Sequence, residues 1–231
     1  MPACPRSAEP EQGPAAPPPG PPPTLTRLSL PTLPRERWRN GLGWTRPVLQ
    51  HADGCGLLWR ISLAEITEPA PFSAFPGLQR TTVLVQGGPV ALAARERRWH
   101  LAQPGDRADY PGEWRLRNRA PEHPALFWNV MAARDRVRAD VLVLRATDCL
   151  LPAGGMSADT GTATEPLTAP LITSVLWIVR GRHELSSPGR DAPLVLDAGQ
   201  GLVCTLASAR LHLRALSADA LVIHTLLSRL G

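Results

Sequence analysis

Apolar and polar residues alternate along this chain in short runs, not at helical spacing. The segments "LLWRISLAEI" (57–66), "TTVLVQG" (81–87), "VALAA" (90–94) and "RVRADVLVLR" (136–145) show it first. The segments "SVLWIVRG" (174–181), "LVCTL" (202–206), "LHLRAL" (211–216) and "ALVIHTLL" (220–227) continue it. A period of two sends successive side chains to opposite faces of a strand. Glycine and proline separate the runs, and no stretch carries a long, clean helical period. The pattern predicts an all-β sandwich or barrel.

The pattern also repeats. "LVQG" at 84–87 matches "IVRG" at 178–181, and "LAQPGD" at 101–106 matches "VLDAGQ" at 195–200, both at an offset of 94. In each copy a strand ends at a glycine turn, and a second glycine turn follows the next hairpin strand. Such a duplicated unit fits a small jelly roll of the cupin type. The expected organisation is a disordered Pro-rich extension over 1–34, a first half over 35–148, a linker or long loop over 149–165 and a second half over 166–231. The extension holds 12 of the 26 prolines, so it has little to bury.

Composition narrows the chemistry. All 25 basic residues are arginine. Without lysine there is no Schiff base, no pyridoxal phosphate anchor and no P-loop lysine. Net charge is +5, and two arginine trios alternate, Arg35, Arg37, Arg39 and Arg134, Arg136, Arg138. With acidic residues interleaved throughout, these read as solvated strand faces, and nucleic-acid binding is disfavoured. The four cysteines, Cys4, Cys55, Cys149 and Cys204, form no CxxC pair. The N-terminal stretch has no apolar signal core and no run is long enough to span a bilayer, so a soluble, cytoplasmic protein without membrane contact is expected.

Metal chemistry finds no support in the spacing. The six histidines, His51, His100, His123, His183, His212 and His224, show no HxH, HxxH or HxxxH pair. No metal, no cofactor and no catalytic residue is assigned. A GxSxG elbow is absent. In "RWRNGLGWTR" (37–46), Gly41 and Gly43 begin a dinucleotide-like fingerprint, but Arg46 stands where its third glycine belongs. What remains suits a small anion. Arg60 and Ser62 share one face of "WRIS", Arg80 closes "PFSAFPGLQR", and Asn129 sits in the apolar "FWNVM". A guanidinium fork grips a carboxylate bidentately, and two can clamp a dicarboxylate.

Five ordered motifs resemble the HutD/Ves family. "WRNGLGWTR" is similar to its W-x-N-G-G-G-x-T, and "WRIS" to its W-R-x-S. "PFSAFPGLQR" follows its G-P-F-S-x-F-P-G-x-x-R, and "YPGE" and "FWNVM" resemble F-x-G-D and D-F-N-V-M. The coverage runs from about Arg35 to Arg138. The departures are Leu42 for the middle glycine, Ala70 for a glycine, Glu113 for Asp and Phe127 for an acidic residue.

The resemblance implies an all-β bicupin, two RmlC-like jelly-roll halves in one chain, without a bound metal. It implies a regulatory binder of a histidine-degradation intermediate, formylglutamate or urocanate. The Ves branch of the family is linked to cold and stress responses. The expected ligand-binding residues are Asn40, Thr45, Arg60, Ser62, Phe72, Phe75, Arg80 and Asn129. Trp38, Gly41, Gly43, Pro76 and Gly77 are expected to shape the loops around them. The expected partner is a small anionic ligand, with a homodimer left open. The alternative is a metal-free cupin isomerase or lyase acting on a small carboxylate. Its candidate bases, His51, His100, Glu65 and Glu113, have nothing in the sequence to single them out.

Overall fold

In the computed structural model the described residues are 24–38, 41–95, 97–119, 121–146, 148–151, 172–187, 192–206 and 211–230. They are strands and turns, with one 3-10 turn at Leu30–Thr32. The first strands are β1 (Thr24–Ser29), β2 (Glu36–Arg37), β3 (Trp44–Asp53), β4 (Gly56–Ile66), β5 (Leu78–Gln86) and β6 (Val90–Ala94). Next come β7 (Arg97–Leu101), β8 (Arg107–Pro111), β9 (Arg117–Asn118), β10 (Ala125–Ala133), β11 (Val137–Arg145) and β12 (Asp148–Leu151). The last are β13 (Ile172–Arg180), β14 (Arg182–Ser186), β15 (Leu194–Asp197), β16 (Gln200–Leu206), β17 (Leu211–Ala215) and β18 (Leu221–Arg229). Every run quoted above for its alternation lies in one of these strands or at its edge.

Two large sheets carry the fold. One has the order β2-β3-β4-β10-β5-β8, the other β1-β16-β13-β18-β11. The run β4-β10-β5-β8 in the first is matched by β11-β18-β13-β16 in the second. A smaller sheet accompanies each, β7-β6-β9 in the first half and β12-β17-β14-β15 in the second. Each large sheet packs apolar residues on both faces. Trp59, Ile61, Leu63, Val83, Trp128 and Val130 form one core with Val175, Trp177, Ile223 and Leu227, which joins the halves. At its centre Trp128 stacks on Trp177 at 5.6 Å between ring centroids, and Trp128 Nε1 donates to Thr225 Oγ1 at 3.1 Å. The opposite faces line two separate interiors, one per half.

The glycine turns that signalled the repeat are structural equivalents. Gly105 N–H donates to Leu84 O at 2.8 Å, and Gly199 N–H donates to Ile178 O at 2.9 Å. Gly87 and Gly181, at the ends of β5 and β13, have φ of 76° and 73°. A Cβ at Gly87 would overlap the Pro124 carbonyl, and one at Gly181 would crowd Ala220. The chain reverses too tightly there for a side chain in either copy.

The boundaries differ from those expected. Residues 1–23 of the Pro-rich stretch lie outside the described residues. Thr24–Ser29, expected in the extension, instead form β1 and pair with β16 along their full length. The segment "TLTRLS" has enough alternation to close a sheet edge once a partner is present. Strand β11, assigned by position to the first half, pairs with β18 and is the first strand of the second. The expected linker opens with β12, which pairs with β17, and residues 152–171 lie outside the described residues. Among the described residues no helix is long and apolar enough to cross a membrane, a finding that concerns helical spans alone.

Candidate anion-binding site

Sheet register assembles the site. Arg60 on β4 lies opposite Met131 on β10, Met131 lies opposite Arg80 on β5, and Arg80 lies opposite Tyr110 on β8. One row further along, Ser62, Asn129, Thr82 and Ala108 align in the same way. These positions alternate with Ile61, Val83 and Val130, which face the core between the halves. The two rows therefore face the interior of the first half, beside Ala64, Phe72, Leu84, Tyr110 and Phe127. Residues distant in sequence thus converge on one inner surface.

Arg80 is the unusual member. It is 3% exposed. Its Nη1 donates to Ser73 O at 3.1 Å, but its Nε is sealed from solvent and has no partner. Phe72, Phe75 and Tyr110 surround its guanidinium, with ring centroids 5.8, 5.4 and 5.2 Å from Cζ. Burial lowers its pKa from the usual arginine value. Three ring faces and one carbonyl offset part of the desolvation cost, which amounts to several kcal/mol for a buried ion. Arg60 is half-buried, and its Nε also lacks a partner. Among the described residues no carboxylate pairs with either arginine.

Asn129 and Ser62 are each 4% exposed. Asn129 Oδ1 accepts from Thr82 Oγ1 at 2.7 Å, and Thr82 Oγ1 contacts Tyr110 Oη at 2.8 Å. Thr82 and Tyr110 belong to the site although the sequence reading did not select them. The signals were a Thr two residues after Arg80, on the same strand face, and the chain's single tyrosine.

The motif loops hold this face closed. Phe75 N–H donates to Gly112 O and Gly112 N–H to Leu78 O, both at 2.7 Å. Gly77 N–H donates to Glu113 Oε1 at 3.0 Å, and Arg134 grips both Glu113 oxygens. The Gly77 N–H, Glu113's own N–H and Arg134 hold the Glu113 carboxyl down at about 2. Phe72 N–H is tied to Leu116 O at 2.8 Å. This network seats Phe72 and Phe75 against Arg80, while Pro76 and Gly77 stay exposed at the turn. Trp38 packs on Phe72 from the other side at 6.0 Å. The ring lies so close to Gly43 that a Cβ there would meet it at 2.9 Å. Gly41 N–H closes the same turn on Trp38 O at 2.9 Å.

Other expected residues fall elsewhere. Asn40 lies outside the described residues. Thr45 sits on β3 opposite Ala64, and its Oγ1 donates to Leu63 O at 3.3 Å, so the hydroxyl is engaged by backbone. Leu42 is 37% exposed. His51 stacks on Trp59 at 4.7 Å on the outer side, and His100 is exposed. Glu65 pairs with Arg35 and Arg46, and Glu113 with Arg134. The four candidate bases are thus engaged away from the arginine row or exposed. The described members of the arginine trios are also engaged, Arg39 lying outside the described residues: Arg35 and Arg37 lie over Trp44, and Arg134, Arg136 and Arg138 each pair with a carboxylate.

Two hollows of about 350 Å³ lie away from this site. One is between the halves, lined by Leu30, Val85, Trp177 and Arg180, and the other flanks Arg98, His100 and Arg119. Their cations are exposed. A solvated cation needs no partner, whereas a sealed one does. The arginine row is therefore the stronger candidate despite its closed state. Among the described residues no three metal-ligating side chains cluster.

The HutD family model matches residues 31–223. Protein Ves of Cronobacter sakazakii is 30% identical over 116 residues, and Protein Ves of Citrobacter koseri 31% over 117. Each alignment takes in 50% of this chain but only 64% and 61% of those relatives. A solved structure of HutD from Pseudomonas fluorescens superposes over 90% of this chain and 100% of its own, with a TM-score of 0.69 and 19% identity. A conserved protein of unknown function from Pseudomonas aeruginosa covers 89% of this chain and 99% of its own, at TM-score 0.70 and 24% identity. An oxalate decarboxylase from Bacillus subtilis shares the cupin-like fold over 87% of this chain and 76% of its own, at TM-score 0.53 and 7% identity. The alternating strands, the ordered motifs and these matches agree: the chain belongs to the HutD family and has a cupin-like all-β fold.

Proposed function

We propose that the protein is a bicupin that binds a small carboxylate in the interior of its first half and acts as a regulator, not a catalyst. The ligand fits the class expected for the family, a histidine-degradation intermediate such as formylglutamate or urocanate. One observation carries the reading: Arg80 is buried, its Nε is unpaired, and among the described residues no carboxylate balances it. A carboxylate at Arg80 would supply the missing charge and acceptors, and Arg60 stands across Met131 to take a second one. Ser62 and Asn129 would orient the ligand, and Phe72 and Phe75 would cover it. Entry requires those rings to part, because they close over the buried Arg80.

The enzyme alternative needs a general base within this cluster. His51, His100, Glu65 and Glu113 do not supply one in the arrangement described above. Isothermal titration with formylglutamate and with urocanate tests the proposal. Saturable binding of either, lost in Arg80→Met, is the expected result. No binding of these or of related dicarboxylates would sink the ligand class.

A further inference from the structure

Four donor groups meet on the inner face of the first half. Arg60 and Asn129 Nδ2 make no hydrogen bond among the described residues, Ser62 donates none, and Arg80 Nε has no partner. The remaining polar contacts are the chain Tyr110, Thr82, Asn129, whose members are at most 4% exposed. A hydroxyl has one proton. Thr82 Oγ1 spends it on Asn129 Oδ1 at 2.7 Å. The 2.8 Å contact between Thr82 and Tyr110 is then Tyr110 O–H donating to Thr82. Asn129 Oδ1 is occupied, so the amide has only N–H groups left to offer.

Resting on the carboxylate-site reading above, we propose that Thr82 is a positioning residue that fixes the polarity of the site. Its proton orients the Asn129 amide so that its N–H groups, and not its oxygen, face the site. Two guanidiniums and a locked amide N–H match a ligand with acceptor oxygens at both ends, a dicarboxylate. They reject a ligand that brings its own N–H to the Asn129 end, because donor would meet donor. The three groups are buried, so the order of protons is held by the fold.

The test uses the full chain and two probes, glutarate and its monoamide glutaramate, by calorimetry. Wild type binds glutarate more tightly. In Thr82→Val the Asn129 amide is free to turn, its oxygen meets the second carboxylate, and the preference for glutarate falls about 10-fold. Thr82→Ser restores the preference. An unchanged preference in Thr82→Val overturns the proposal. Should Thr82→Val fail to fold, Asn129→Asp replaces it: its second oxygen repels glutarate, and undiminished glutarate binding by that variant also overturns the proposal. If wild type binds no dicarboxylate at all, the carboxylate site itself fails and this inference with it.

Discussion

The two halves share a strand order but fill it with different chemistry. In the first, Arg60, Met131, Arg80 and Tyr110 stand in one row. In the second, the same register places Asp140, Leu226, Ser174 and Cys204. The next row holds Ser62, Asn129, Thr82 and Ala108 in one half and Leu142, His224, Leu176 and Leu202 in the other. The second interior thus has no buried cation at these positions. Its polar groups include Ser174, His183 and His224; burial lowers the pKa of both histidines, pushing His224 down to about 4. His224 Nε2 contacts Ser174 Oγ at 2.8 Å, while its Nδ1 and both ring nitrogens of His183 are unpartnered. What the halves keep in common is the pair of glycine turns. The repeated elements are those that shape the backbone, and the elements that differ face the interiors.

Breaking the comparison at its widest point has the largest expected effect. Arg80→Met removes the buried charge and should weaken carboxylate binding by about 100-fold or more, equivalent to roughly 3 kcal/mol. Its thermal stability without ligand should hold or rise, since an unpaired buried charge is replaced by an apolar side chain. Ser174→Ala, the matching position in the second half, should leave the affinity unchanged. Calorimetry and melting curves on both variants check this.

The second interior predicts a pH dependence. His224 takes up a proton near its ordinary value of 6.5 when unfolded but only at about 4 when folded. The unfolded state binds more protons between these values, so stability falls as pH drops from 6.5 towards 4. The loss from this group is about 3 kcal/mol. His183, shifted in the same direction, adds to it. Urea unfolding at pH 7 and pH 4.5 should show a smaller loss in His224→Leu than in wild type. Equal losses would assign the acid sensitivity to other groups.

The smallest effect concerns Leu42. The motif that this stretch resembles has glycine there, yet this side chain is 37% exposed, and Gly43 is what makes room for the Trp38 ring. Leu42→Gly should change carboxylate affinity by less than about twofold.

Much of this arrangement was legible in sequence because it depends on local rules. Alternation in "WRIS" put Arg60 and Ser62 on one face, and the structure keeps them there. The glycines at 87, 105, 181 and 199 marked the repeat because tight turns exclude side chains. The parts that were not legible depend on pairing. Val137–Arg145 reads as one more strand of the first half, and only its ladder with β18 assigns it to the second. Thr24–Ser29 sits among prolines, and β16 is what gives it an edge to join. Thr82 looked like an ordinary strand threonine, because its partners Tyr110 and Asn129 are 28 and 47 residues away. Thr45 looked like a ligand contact, but a backbone carbonyl one strand over had claimed its hydroxyl.

The most direct test is a crystal structure of the protein soaked with glutarate. The expected result places one carboxylate on Arg80 Nε and the other within reach of Arg60, with Phe72 and Phe75 shifted to admit it. Glutarate seated instead in the hollow beside Arg180, with Arg80 Nε still sealed and unpaired, would contradict the assignment of the site to the first half.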